Sequence, residues 1–295
     1  MSLLVVGTVA FDDIETPFGR AEMVVGGAAT YIALAASYYT RNIKIVSVVG
    51  DDFPEADLDD LRARGVDLAG LQVKQGEKSF FWSGRYHDDM NGRDTLDTQL
   101  NVLADFDPVL PADYQEVDYL MLGNLTPAVQ LRVLDQLKKR PKLIALDTMN
   151  FWMDTALEEL KTVLKRIDVL TINDEEARQL SGEHSLVKAA QVIHQMGPRI
   201  LIIKKGEHGA LLFFDNEVFF APALPLAEVF DPTGAGDTFA GGLMGYLAST
   251  DDLSFEGLKR AVVYGSAMAS FCVEKFSTER LKELNDDMIM ERMMR

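Results

Sequence analysis

The sequence predicts an α/β protein built on a doubly wound, mostly parallel sheet. Two observations carry that expectation. Apolar runs of strand length recur through the chain, and most are followed by a stretch with helical spacing. No linker, repeat or low-complexity segment interrupts the alternation, so the 295 residues are expected to form a single domain, 1–295.

Residues 3–9 read as a short buried strand, with Gly7 near its end and Asp12 and Asp13 just beyond, where open α/β sheets bind ligands. Residues 14–25 contain Pro17 and Gly19 and are predicted to form a strand pair. Gly26 and Gly27 then open an apolar helix over 31–39. A strand at 43–49 and an amphipathic helix at 55–64 follow. Between 71 and 99 the helical pattern gives way to short strands at 71–73, 79–86 and 93–99, with a turn at Asn91-Gly92. The alternation then resumes, with strands at 118–122, 142–147 and 167–172 and helices at 128–137 and 156–164. Strands at 199–204, 210–214 and 217–221 surround a Gly206–Gly209 turn. A long apolar helix covers 255–274, and the methionine-rich residues 288–295 are expected to be a frayed helix end.

Composition narrows the function. With 29 Lys and Arg against 46 Asp and Glu, the formal net charge of −17 argues against nucleic acid or an anionic membrane as partner. No apolar run is long enough to span a bilayer. The single cysteine, Cys272, lies in an apolar stretch and fits a buried thiol in a reducing, cytoplasmic setting. His184, His194 and His208 lack metal-ligand spacing.

The most informative stretch is 231–243, DPTGAGDTFAGGL. Pro232 stops any helix arriving from upstream. Gly234-Ala235-Gly236 gives a backbone free to turn and present N–H groups, and a helix is predicted to start at Ala235 or Gly236. Such a turn is an anion site, and Asp237 in its first turn is either a helix-start residue or a general base. The glycine spacing is not that of a dinucleotide fingerprint, and no Lys-Ser/Thr pair follows, which excludes a P-loop.

At every position this string resembles the C-terminal signature of the ribokinase-like (PfkB-type) carbohydrate and nucleoside kinases. The resemblance implies a ribokinase-like fold with a small β-sheet lid, here about 12–25 and 71–100. It implies that Asp237 is the catalytic base and that Gly234, Ala235 and Gly236 form the anion hole. Asp12, five residues after the strand's Gly7, would hold substrate hydroxyls with Gly26 and Gly27. Two positions depart from the family pattern: Ala10 and Tyr31 stand where ribokinase-like members carry sugar-contacting Asn, and Tyr31 is a candidate substrate contact that, with the lid aromatics, could stack on a nucleoside base. In the lid, Arg85, Tyr86 and His87 are candidate substrate contacts, and Arg93 a lesser one. Asp147 and Asn150 fall where members carry polar residues near the phosphates.

The pair Asn173-x-x-Glu176 matches the motif that organises Mg²⁺ and phosphates, with Glu176 acting on the metal through water. Lys205, Gly206 and Gly209 match the nucleotide loop, and Ser266 falls on the adenine side. Asp231 and Thr233 resemble a monovalent-cation site that would take K⁺. The implied function is ATP-dependent phosphorylation of a primary hydroxyl of a small sugar. An adenosine- or inosine-type nucleoside kinase is the alternative, and a non-catalytic sensor a distant one. Apolar lid residues such as Phe80 and Trp82 leave room for a homodimer through the lid.

Overall fold

Strand β1 (Leu3–Val6) is apolar at every position because both of its faces are covered. Leu3 and Val5 point into one hydrophobic core, Leu4 and Val6 into another. Each such fully buried aliphatic side chain contributes about 1.5–3 kcal/mol. The computed structural model describes residues 1–294. After β1 come β2 (Ala10–Thr16), β3 (Gly19–Gly26), α1 (Ala28–Ala36), β4 (Ile43–Gly50), α2 (Glu55–Ala63), β5 (Val66–Lys74), β6 (Phe80–Tyr86) and β7 (Arg93–Gln99). The middle of the chain holds β8 (Tyr119–Leu122), α3 (Pro127–Gln136), β9 (Leu143–Asp147), α4 (Asn150–Thr155), α5 (Leu157–Leu164), β10 (Val169–Asn173), α6 (Asp174–Ser181) and α7 (Leu186–Met196). The last part holds β11 (Ile200–Lys204), β12 (Ala210–Phe214), β13 (Glu217–Ala221), α8 (Ala235–Thr250), α9 (Phe255–Cys272), α10 (Glu279–Lys282) and α11 (Asp286–Met293). The methionine-rich end is thus helical through Met293, and Arg295 lies outside the described residues.

Among the described residues the large sheet has nine strands in the order β13-β12-β11-β10-β9-β8-β1-β4-β5. All neighbours from β11 to β5 are parallel, and β12 and β13 add an antiparallel edge. From β1 the chain winds outward to β4 and β5 and later returns on the other side through β8. The switch point therefore lies between β1 and β8. Helices α1, α2, α8 and α9 cover one face and α3, α5, α6 and α7 the other.

A second sheet, ordered β3-β2-β6-β7, stands at the carboxyl end of the first. Its β2–β6 pair is parallel, and its outer pairs are antiparallel. Leu71–Val73, expected in this smaller sheet, instead extends β5 along β4 at the edge of the large one. Gly70 makes this possible, because its Cα packs against the backbone of Ile45, where a Cβ would lie 2.5 Å from the carbonyl oxygen. Helix α1 starts three residues earlier than its apolar pattern implied. Gly27 takes φ 92 at its N-cap, and Thr8 caps it from outside the helix.

Candidate active site

Several of the residues singled out by sequence lie at the carboxyl ends of the parallel strands, among them Asp147 on β9 and Asn173 on β10. In the signature loop Gly234 is the N-cap of α8, with φ 73 in the left-handed region. A Cβ there would lie 2.5 Å from the ring of Tyr31, so only glycine fits. The Ala235 N–H turns back to the Pro232 carbonyl (3.2 Å), and Thr238 N–H closes on the Gly234 carbonyl (2.8 Å). Among the described residues, the N–H groups of Gly234, Gly236 and Asp237 form no hydrogen bond, and the positive end of the α8 dipole converges on them. Of the three N–H groups expected in the anion hole, only that of Ala235 is turned back into the loop.

Behind this helix start lies a cluster of charge. Lys204, at the end of β11, places Nζ 2.9 Å from Oδ2 of Asp147 at the end of β9. A Cβ on Gly236 would sit 3.0 Å from the same Nζ. Asp147 is buried and Lys204 mostly so. Burial, opposed by Lys204 and helped by Asp147, pushes Glu176 up to about 7. Asp237 is half-buried by surface area, yet the surrounding walls and then Asp147 raise its carboxyl to about 7 against the pull of Lys204 and Arg93. A carboxylate poised there can accept a proton near neutral pH.

Across the cleft, Asp12 on β2 is 5 % exposed. Desolvation, then the charges of Asp231, Asp237 and Asp13, push it up to about 8. Gly26 makes room for it, since a Cβ there would lie 1.9 Å from Asp12 Oδ2. Gly27 instead approaches the Thr8 carbonyl, and Thr8 takes the first N–H groups of α1 through Oγ1 to Ala28 and through its carbonyl to Ala29 (both 2.9 Å).

Tyr31 and Arg85 do not reach the cleft. Tyr31 is 1 % exposed and packs with Met268, Phe271 and Cys272 beneath Gly234, because its place in the first turn of α1 faces α8 and α9. Its hydroxyl lies beside Ser277 without a hydrogen bond of good geometry. Arg85 forms a bidentate pair with Glu15 (2.8 and 3.2 Å) on the outward face of the small sheet. Strand alternation decides this: its neighbour Tyr86 points inward, where its hydroxyl oxygen accepts from Thr233 Oγ1 (3.1 Å). His87 lies beyond the end of β6 near Asp94. Phe80 and Trp82 share the inward phase of Tyr86, so neither forms an outward apolar patch.

Family comparison matches residues 4–284 to the pfkB family carbohydrate kinases. The chain belongs to that family. A cytidine kinase of Thermococcus kodakarensis is 30% identical over 253 residues, covering 83% of this chain and 88% of the relative. The crystal structure of a Methanocaldococcus jannaschii nucleoside kinase superposes with a TM-score of 0.79 at 20% identity, covering 100% and 98% of the two chains. A putative ribokinase II from E. coli, solved with ATP and Mg²⁺, gives a TM-score of 0.81 at 20% identity over 99% and 97%. The ribokinase-like fold and the kinase class follow.

In this pfkB-family kinase the N-x-x-E motif is also a helix cap. Asn173 Oδ1 accepts from Glu176 N–H and Glu176 Oε2 from Asn173 N–H, both at 2.8 Å, which fixes the Glu176 carboxyl at the start of α6. Asn150 lies apart from the charged cluster and donates to Gln179 Oε1. Lys205, Gly206 and Gly209 form the β11–β12 turn. It is closed by Lys205 N–H to the Gly209 carbonyl (2.8 Å), and the left-handed Gly209 presses on the Ala221 carbonyl. Ser266 lies half-buried on α9. Asp231 is fully buried and accepts from Thr233 and Ser277 N–H (both 2.8 Å). Among the described residues no three His, Cys, Asp or Glu converge as a metal cluster, and no helix is long and apolar enough to cross a membrane.

Two charged groups near the cluster stand out only in the structure, Lys204 and Arg93. Lys204 ends a strand as many lysines do, and only the position of β9 two strands away gives it a partner. Arg93 pairs with Tyr86 across β6 and β7 and shares its inward face, which makes its charge felt at Asp237 and Glu176. The offset between those two strands could be read only once their turn was known.

Proposed function

We propose that this kinase transfers the γ-phosphoryl group of ATP to a primary hydroxyl of a small sugar, either free or as the sugar of a nucleoside. The observation that carries the reading is the convergence of Asp12 and Asp237, close enough for the charge of one to act on the other, beside the unpaired start of α8. Asp12 would accept hydrogen bonds from two substrate hydroxyls and orient a third toward Asp237. Asp237 would take that hydroxyl's proton as its oxygen bonds to the γ-phosphorus. The bond to the β,γ-bridging oxygen breaks, and ADP leaves with the electron pair. The N–H groups of Gly234, Gly236 and Asp237, with Lys204 behind them, would meet the charge developing on the transferred group.

The site suits Mg·ATP. The glycine cradle leaves backbone N–H groups for phosphate, and the mostly buried Glu176 carboxyl, capped on one side by Asn173, could hold a metal-bound water. Mg²⁺, when bound, neutralises charge on the phosphates. Lys205, Gly206, Gly209 and Ser266 would take the nucleotide end. The small sheet would act as a lid: its β6–β7 turn brings Asn91 to the Gly206 loop, and Phe18 at the β2–β3 turn packs on Phe230 with ring centroids 4.8 Å apart.

A K⁺ requirement at Asp231 and Thr233 is a lesser part of the proposal, and indifference to exchanging K⁺ for Na⁺ would remove it. A homodimer through the small sheet now rests on half-exposed Met23 and Leu96, and sedimentation tests it. A cytoplasmic setting suits the single buried thiol. The deciding experiment is an ADP-release screen of sugars and nucleosides with Mg·ATP. Turnover of at least one, lost in Asp237→Asn, is expected. Ligand binding with no turnover across the panel would instead favour a sensor.

A further inference from the structure

The inward face of the small sheet carries something that phosphoryl transfer does not require. Trp82 lies directly beside Asp12 in the parallel β2–β6 register, one strand spacing of about 4.8 Å away. Tyr86, two positions further along the same face, touches Thr233 of the signature loop, so this face looks onto the reaction centre. The indole is laid flat. It lies across Gly84, where a Cβ would come within 2.1 Å of Cη2 and lift the ring off the sheet. Its Nε1 donates to Thr95 Oγ1 (3.3 Å) on β7, which fixes its rotation. The Arg93 guanidinium lies over the ring, 5.7 Å from its centroid, and forms no ion pair among the described residues, so a planar ligand would take its place on the indole. Trp82 nevertheless remains partly open to solvent.

We propose that Trp82 is a base-stacking platform and that the substrate is a nucleoside rather than a free sugar. The inference rests on the kinase reading and deepens it. Asp12 would hold the ribose hydroxyls, and the planar base, one sugar width away, would lie on the indole, displacing the Arg93 guanidinium from over the ring to the edge of the base. A free pentose held by Asp12 would leave that plate uncovered. Stacking of a base on an aromatic plane tolerates different bases, so the platform selects for the presence of a base more than for its identity.

The chain has two tryptophans, Trp82 and Trp152, and Trp152 lies on α4 bonded to Asn124, which allows a direct optical test. In a Trp152→Phe background, nucleosides are expected to quench the Trp82 emission saturably, while ribose at equal concentration does not. In steady-state assays Trp82→Ala should raise KM for nucleosides by about 10- to 100-fold with kcat largely kept. Trp82→Phe should keep most of the affinity, and neither change should alter KM for a free pentose. Free pentose turned over as efficiently as nucleosides, or equal losses on both in Trp82→Ala, would overturn the inference, as would unquenched emission under saturating nucleoside. Quenching without turnover would leave the platform standing and remove the kinase reading beneath it.

Discussion

Lys204 Nζ and Asp147 Oδ2 meet at 2.9 Å across the end of the intervening strand β10. The lysine is thereby held in its charged form despite burial, with Asp147, Glu176 and Asp237 all favouring that form. Its Nζ sits beside Gly236, where phosphate charge would arrive. Replacing it with an apolar residue should expose the carboxyls to each other. Lys204→Met is expected to lower kcat by about 10²–10³, the cost of losing one preorganised donor. The acid limb of the pH–rate profile should also move to higher pH as Asp237 loses its cation. Unchanged kcat and profile would show that Lys204 serves the fold alone.

Asp237→Asn should lower kcat by about 10²–10⁴ while leaving the far-ultraviolet circular dichroism intact. In the unaltered enzyme, Asp237 must be ionised to accept a proton. With its carboxyl raised to about 7, kcat/KM should fall as pH is lowered through that value. Glu176, raised to the same region, adds to the slope. A rate flat down to pH 5 would contradict this assignment.

The same burial predicts an unusual pH dependence of stability. Without substrate, burial and the neighbouring carboxylates push Asp12 up to about 8 in the folded chain, whereas it ionises near its ordinary value when unfolded. Stability is then greatest at low pH, below the unfolded value, and declines as pH rises through the folded one. Asp12→Asn removes this component, so the variant should melt above the wild type at pH 8 even though its activity is lost. Each kcal/mol relieved is worth roughly 2–4 °C. Thermal melts between pH 5 and 8 measure the difference, and a lower melting point for the variant at pH 8 would refute it.

The signature loop was legible from sequence because its work is done by backbone and by one helix-start carboxylate, both written in consecutive residues. The parallel sheet was legible for a similar reason: strands covered on both faces are apolar at every position, as in Leu3–Val6. What escaped depends on phase and partners. Tyr31 takes a family substrate position by its spacing from Gly26, but the helix turns it toward α8 and α9. Arg85 and Tyr86 differ by one residue and thus by opposite faces, and only the Tyr86–Thr233 contact reveals which is inward. Arg93 and Trp82 become neighbours through a register that contains a bulge after Ser83.

Tyr86→Phe removes the hydroxyl that meets Thr233 and leaves the ring in place. The loss of one such bond is worth about 0.5–1.5 kcal/mol, so looser seating of the small sheet should raise the substrate KM by up to about tenfold. Melting temperature should change little. A KM within twofold of wild type would show that Phe18, packed on Phe230, suffices to seat the sheet.

Asp231 joins the signature loop to a turn near the end of the chain: one oxygen takes the Thr233 N–H and the other the Ser277 N–H, while Ser277 Oγ donates to the Val25 carbonyl at 2.6 Å. The order of synthesis gives this closure a meaning. A nascent chain carries Asp12 from its first strands onward, but the loop bearing Asp237 cannot be locked until Ser277 has been made. A chain ending at Lys275 is expected to keep its sheet, as circular dichroism would report, and to lack turnover, whereas turnover in it would count against the coupling. Turnover lost in that chain would mean that phosphoryl transfer waits, during synthesis, for a residue made well after the catalytic loop itself.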